Sequence, residues 1–480
     1  MRHASILVLL ALALAGGARA KGAPRANVVL IVADDLGAAD VAAQSGRAEV
    51  KTPNLDALAA QGVRFASGYV AAPQCAPSRA AILTGRYPQR FGVEENDVGS
   101  LPEGEPTLAQ RLRDAGYATG QVGKWHVEGT LEDGETAAPG AEGEGACTPE
   151  RHGFTEWFCG SGCNYFASHD AAGRALRDPP ARVADPRARI AVQTEAALAF
   201  VERHAGEPFF LYLAYSAPHF PLEAPEPFFS QTPAGLAPER RMALAMTGAI
   251  DEGVGRLRAK LRALGLAERT LVAFLSDNGA TLKRGAWNGS LNEPYVGEKG
   301  MLTDGGVRVP FLAEWPGVLP VGRVYDAPVL SLDLAATALA AAGISDAKLD
   351  GVDLVPFLTG RASGAPHPAI FWRWRSQAGV RAGRFKLVHL GADRRYLFDL
   401  DDPAGETRNR IADQPAVAAD LEKQLTAWSA TLARPGLPTS VHPRDAALFD
   451  AHVDRTGTVV EKQGPHANVQ LGAPFHCRVR

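Results

Sequence analysis

Five cysteines in 480 residues are far too few for a small domain held together by disulfides. Charge is nearly balanced, with a formal net value of -3, so nothing global points to nucleic acid or an acidic membrane surface as partner. Past the N-terminus, no run approaches the ~20 apolar residues that a membrane helix needs. What remains is an ordinary globular composition, 46% hydrophobic and 21% charged. The length exceeds one simple core, which predicts two domains or one large α/β domain with an appendage.

At the N-terminus, Arg2 and His3 precede an apolar run over 6–15, and Ala18 and Ala20 offer small residues for cleavage. The run is too short to span a bilayer, so it reads as a cleavable signal peptide, cut after Ala20, and predicts export to the periplasm or medium. In an oxidising compartment, Cys147, Cys159, Cys163 and Cys477 could form two disulfides of open connectivity. Cys159 and Cys163 also have a plausible zinc-ligand spacing, but no compact second pair follows them, which favours disulfides.

Residues 26–33 form a continuous apolar, β-branched run, the mark of a strand buried on both faces. Similar strands are expected at 209–215 and 270–275, and a weaker one at 117–122. Helices are expected at 54–61, 107–115, 187–204 and 239–264, with Thr107 and Gly116 as start and stop signals. Helix and buried strand alternate, which predicts a large, mainly parallel mixed sheet sandwiched by helices. The Gly- and Glu-rich stretch 132–146 reads as a surface insertion. After about residue 365 come short strands at 369–374, 384–390 and 396–400, then a helix at 417–432. These predict a smaller antiparallel sheet packed by one helix. The expected organisation is a signal peptide at 1–20, a catalytic domain at 21–365, and a C-terminal subdomain and tail at 366–480. The segment 434–480 carries few signals and is unassigned.

In an open parallel sheet, ligands bind beyond the carboxyl ends of the strands. Two of the predicted strands end in acidic pairs, Asp34-Asp35 and Asp277-Asn278, whose hard oxygen donors suit Ca²⁺ or Mg²⁺. Taken singly, each pair is also ordinary turn chemistry. Cys75 opens an expected helix four residues before Arg79, a positive setting that reads first as a low-pKa thiolate. Lys124 and His126 follow one strand, His219 follows another, and Lys299 lies in a glycine-rich loop. Together these residues could surround an anion held at a metal, the inventory of a sulfate or phosphate ester hydrolase.

The run Cys75-Ala76-Pro77-Ser78-Arg79 resembles the modification signature of the type I sulfatases, in which the cysteine of Cys-x-Pro-x-Arg becomes formylglycine. Asp34-Asp35, Gly123-Lys124-Trp125-His126, Ala217-Pro218-His219, Ser276-Asp277-Asn278-Gly279 and the segment 297–310 look like that family's further motifs, in the same order. The likeness covers roughly residues 26 to 410 and implies an alkaline-phosphatase-like fold. It implies that Asp34, Asp35, Asp277, Asn278 and the modified Cys75 hold one Ca²⁺. Arg79 would stabilise the formylglycine, Lys124 and Lys299 would bind sulfate oxygens, His126 would serve the aldehyde hydrate, and His219 would face the leaving oxygen. It further implies a formylglycine-generating maturation enzyme as partner. Val127-Glu128-Gly129 and Asp304 depart from the family pattern and put the shape of the cleft in doubt, not the chemistry.

The implied reaction is hydrolysis of a sulfate monoester to an alcohol and sulfate. Trp287 and the segment 371–375, which holds Trp372 and Trp374, suit sugar stacking, and the extension 85–92 resembles sulfatases acting on polysaccharides. A sulfated carbohydrate is therefore expected rather than a free aryl sulfate. The rival readings are a phosphate or phosphonate ester hydrolase of the same superfamily, a non-catalytic carbohydrate-binding protein and a simple thiol enzyme.

Overall fold

All eight residues of the strand Asn27–Asp34 are buried, as are the ten of Phe209–Pro218 and the seven of Thr270–Ser276. Side chains alternate across a strand, so burial of every position requires cover on both faces. The computed structural model describes residues 25–456 except 97–99, 128–147, 161, 178, 180, 224, 283–286, 347, 435 and 439. The N-terminal run, the stretch 132–146, Cys147 and Cys477 lie outside the described residues.

Among the described residues the main sheet has ten strands, and its middle is parallel: Thr270–Ser276, Asn27–Asp34, Phe209–Pro218, Ala118–Gly123 and Glu156–Cys159 lie side by side in that order. Antiparallel strands flank it, Phe311–Glu314 on one side and Asn164–Ala167 then Ala181–Ala184 on the other. Val28, Leu30 and Val32 feed one apolar core, with the helices Cys75–Thr84 and Leu332–Ala342. Val29, Ile31 and Ala33 feed the other, with Arg189–Arg203 and Pro238–Ala263. The start signal at Thr107 is an N-cap that forms a capping box: its hydroxyl accepts from the Gln110 amide at 3.0 Å, and Gln110 accepts from the Thr107 amide at 2.8 Å.

A separate four-stranded antiparallel sheet runs in simple order through Ile370–Trp374, Gln377–Ala382, Phe385–Leu390 and Arg394–Asp399. The helix Pro415–Ser429 packs against it. Its second strand, with a glycine in its middle, escaped the sequence reading, as did Phe311–Glu314 and the helices Leu332–Ala342 and Pro443–His452. Cys159 and Cys163 are each disulfide-bonded, which removes the zinc reading of that pair.

Candidate active site

Four neighbouring parallel strands end on the same edge of the sheet, and their ends carry the polar residues. Asp34 and Asp35 end the first strand; Asp277 and Asn278 follow its neighbour at 270–276. His219 follows the strand on the other side, and Lys124 and His126 follow the next one out. Gly123 has φ +92°, and a Cβ there would lie 2.0 Å from the Ala214 carbonyl oxygen, so only glycine fits. The close approach lets the Lys124 amide donate to that same carbonyl at 2.8 Å, fixing where the lysine leaves the sheet.

Cys75 is the first residue of its helix and is wholly buried. Its Sγ lies 3.5 Å from Asp34 Oδ1, 3.7 Å from Asp35 Oδ1 and 2.9 Å from Lys299 Nζ. One donor atom each from Asp34, Asp35, Cys75 and Asp277 falls within 4.8 Å of the others. Three cations hold the three carboxylates. Lys124 Nζ sits 2.8 Å from Asp34 Oδ2, Lys299 Nζ 2.7 Å from Asp35 Oδ1, and Arg79 Nη2 2.7 Å from Asp277 Oδ2. Asn278 donates to Asp35 Oδ1 at 2.6 Å, while its own Oδ1 is buried with no hydrogen-bond partner.

An orphaned amide oxygen next to three crowded carboxylates is a hard-oxygen donor set, the kind a Ca²⁺ ion takes. Burial, together with repulsion from Asp34 and Asp35, pushes Asp277 up to about 6 despite Arg79 beside it. Against burial, Lys124, His219, Arg79 and Lys299 hold Asp34 well below the usual carboxylate range. With the carboxylates ionised, three negative and three positive charges balance. A divalent cation would leave the site with an excess of two positive charges, suited to an anionic ester.

The thiolate expectation for Cys75 does not survive. Burial, with Asp277 and Asp35 opposing the lysines, pushes the thiol up rather than down. His126 has φ +58°, and its Nδ1 is buried without a partner. Burial, then Lys124 and Arg79, lowers its pKa well below the ordinary value, so the ring is neutral at pH 7. His219 is also lowered: burial outweighs Asp34 and Asp35, which pull the other way against Lys124 and Lys299. Its Nε2 lies 3.8 Å from Asp35 Oδ2, and its Nδ1 lies 2.9 Å from the Phe220 carbonyl.

The tryptophans offered for sugar stacking are not available for it. Trp372 and Trp374 are fully buried, Phe371 stacks on Trp428 with ring centroids 5.2 Å apart, and Trp287 is buried with its Nε1 donating to Ser290 O. The sequence reading also passed over residues that surround the reacting groups. Asn288 donates to the carbonyls of Asp35 and Pro218 at 3.0 and 3.4 Å, fixing two strand ends at once. Gln74, Glu95, Asn96, Arg375 and Arg444 line the cavity that opens over Lys299 and His219. Their residue types are ordinary in loops, and no spacing marks them.

A family model described as Sulfatase matches residues 26–344, and one described as N-sulphoglucosamine sulphohydrolase, C-terminal, matches 295–431. The chain is 34% identical to the N-acetylgalactosamine-6-sulfatase of Canis lupus familiaris over 404 residues, covering 78% of this chain and 73% of that one. It is 33% identical to the arylsulfatase A of Homo sapiens over 452 residues, covering 86% and 84%. Among solved structures, that of Ps i-CgsB in complex with k-i-k-neocarrahexaose is similar, with a TM-score of 0.73 at 29% identity over 88% of this chain and 97% of that one. The phosphonate monoester hydrolase of Agrobacterium radiobacter shares the fold, with a TM-score of 0.64 at 23% identity over 85% and 96%. With most of its length matched to sulfatases, the chain belongs to the sulfatase family and is a sulfuric ester hydrolase.

Proposed function

We propose that the protein hydrolyses a sulfate monoester on a glycan, using formylglycine made from Cys75 beside one Ca²⁺. The observation that carries this reading is the meeting of Cys75 with Asp34, Asp35 and Asp277 within 4.8 Å, next to the unpartnered Asn278 Oδ1. Asp34, Asp35, Asp277 and Asn278 would hold the cation, which supplies positive charge for the ester oxygens and acidifies a neighbouring hydroxyl. Oxidation of Cys75 supplies a hydrated aldehyde with two hydroxyls, one to attack sulfur and one whose deprotonation lets the aldehyde re-form and release sulfate. Serine has no second hydroxyl, which is the physical reason for modifying a cysteine.

The chain's own groups do the rest. Lys124 and Lys299 orient the sulfate oxygens from positions fixed by Asp34 and Asp35, and burial makes their charge count for more than in bulk water. Arg79 pins Asp277 and reaches toward Asp34, with Nη2 at 3.4 Å from Oδ1. His219 donates a proton from Nε2 to the leaving oxygen, and the negative charge of an arriving ester favours its protonated form. Neutral His126 accepts the proton of the second hydroxyl.

A glycan substrate is supported by the names of the relatives and by the carrageenan-derived hexaose in the similar structure. A cavity of about 270 Å³ over Lys299 and His219 is open to solvent. Export is supported by the disulfide bonding of Cys159 and Cys163. The maturation enzyme is the partner this chemistry requires.

One preparation tests these points together. Active protein from the exported fraction should begin at Lys21, and its Cys75 peptide should carry the mass of formylglycine. It should cleave 4-nitrophenyl sulfate far faster than 4-nitrophenyl phosphate or a phenyl phosphonate ester. Unmodified cysteine throughout a fully active sample would sink the mechanism, and a preference for phosphorus would sink the substrate class.

A further inference from the structure

Two arginines stand at the mouth of the catalytic cavity, and neither has a part in the chemistry above. Arg375 and Arg444 line the same cavity as Lys299 and His219. Arg375 occupies the two-residue turn between Ile370–Trp374 and Gln377–Ala382 with φ +50°, a conformation that favours glycine. A bulky residue kept in a strained turn beside a reactive site invites a functional explanation. The turn is also fastened to the nucleophile's helix. Arg375 pairs with Glu95 at 2.9 Å, the preceding Glu94 pairs with Arg373 at 2.8 Å, and Asn96 accepts from the Ala76 amide at 3.0 Å. Glu95 engages Nε and Nη2 of Arg375. A guanidinium has five N–H donors, so others remain for a ligand.

Arg444 comes from the helix Pro443–His452, which lies beyond the residues that either family model matches. Its first turn is tied to the residue after Arg375: Ser376 Oγ accepts from the His442 amide at 3.1 Å and donates to Asp445 Oδ2 at 2.7 Å. The other end is tied to the loop of Lys299, with His452 Nε2 3.2 Å from Glu298 Oε1. The helix is thereby held against both walls of the cavity. Among the described residues, no carboxylate pairs with Arg444, whereas Lys299 and Arg375 are matched by Asp35 and Glu95, so the described lining has one positive charge in excess.

We propose that Arg375 and Arg444 form a second anion subsite at this mouth, one that takes a further negative group of the glycan beside the scissile sulfate: a second sulfate or a uronate carboxylate. Both groups present oxygens to the planar donor fork of arginine. The proposal rests on the sulfatase reading and deepens it, making the substrate class a glycan with two or more anionic groups close together.

Competition against 4-nitrophenyl sulfate hydrolysis tests it with three probes. These are N-acetylgalactosamine 6-sulfate, N-acetylgalactosamine 4,6-disulfate, and a disaccharide joining a uronate to N-acetylgalactosamine 6-sulfate. The native enzyme should bind at least one two-anion probe about tenfold or more tighter than the one-anion sugar, as charge-assisted hydrogen bonds to arginine allow. Tighter binding of the disulfate alone names sulfate as the second group; tighter binding of the uronate alone names carboxylate. In R375A, R444A and their double variant, that preference should shrink toward one. No preference in the native enzyme overturns the proposal, as does a preference that persists in the double variant. Equal losses on all three probes overturn it as well, because the arginines would then be serving the scissile sulfate. Native protein inactive on every sulfate ester, aryl or sugar, would bring down the underlying reading and this proposal with it.

Discussion

Two imidazoles face the candidate site, the proposed chemistry gives them opposite roles, and both have pKa values below the ordinary 6.5 of histidine. His126 must be neutral to accept a proton, and His219 must be protonated to give one. A base with a lowered pKa stays usable into mildly acid solution, whereas an acid with a lowered pKa loses its proton early as pH rises. The kcat/KM profile reports the free enzyme, so its maximum is expected below about pH 6.5, with the fall on the alkaline side set by His219. H219Q should lose most of that alkaline limb along with about a hundredfold or more in rate on an unactivated sugar sulfate. A profile flat from pH 5 to pH 8 would remove His219 from its role. At this scale residue type and strand end were enough to pick out Asp34, Asp277 and Lys124, which the fold brings together. It misled at Cys75, because a helix N-terminus counts for less than complete burial among carboxylates.

Between elements, the segment carrying Lys299 is anchored to the smaller sheet by a buried charge knot. Asp304 accepts from Tyr69 Oη at 3.0 Å and pairs with Lys386 Nζ at 2.7 Å, while Glu406 sits 3.0 Å from the same Nζ. Lys386 is wholly buried on Phe385–Leu390. Replacing it with methionine leaves buried Glu406 without its cation and Asp304 with Arg308 alone, and should cost about 3–5 kcal/mol in urea unfolding. The loss should depend on pH. Burial, together with Asp304, pushes Glu406 up to about 7 although Lys386 opposes it. The folded state thus binds a proton that the unfolded chain releases near 4.5, and stability declines as pH rises between those values. K386M should steepen that decline, with the smaller loss at pH 5 and the larger at pH 8; an equal loss at both would refute the charge account. Strands buried on both faces were legible as apolar runs, and Thr107 announced its helix. Gln377–Ala382 and Phe311–Glu314 were not, since a short strand in an antiparallel pair is defined by its partner and carries little periodicity of its own. The cavity mouth was illegible for a related reason, because Arg375 and Arg444 are brought together only by tertiary contacts through Ser376.

Across the whole molecule, the candidate metal group joins elements far apart in the chain: the strand ends at Asp34 and Asp277 and the helix that begins at Cys75. A ligand bound only by the native state stabilises it by mass action. Ca²⁺ at a hundredfold excess over its Kd should therefore raise stability by about 2.7 kcal/mol relative to chelated protein, seen as a higher Tm. Mg²⁺, which keeps its waters and demands tighter octahedral geometry, should do less at the same concentration. A Tm indifferent to chelator would exclude the metal. The depth of Cys75 has another consequence, one of timing. With no part of its side chain open to solvent, the sulfur is out of reach of any second protein once the helix Cys75–Thr84 has seated against the sheet. On the formylglycine proposal, a maturation enzyme would have to act on the nascent or unfolded chain, in a race against folding. The fraction of molecules able to work would then be settled once, at synthesis, and a chain that closed first would stay well folded and permanently idle.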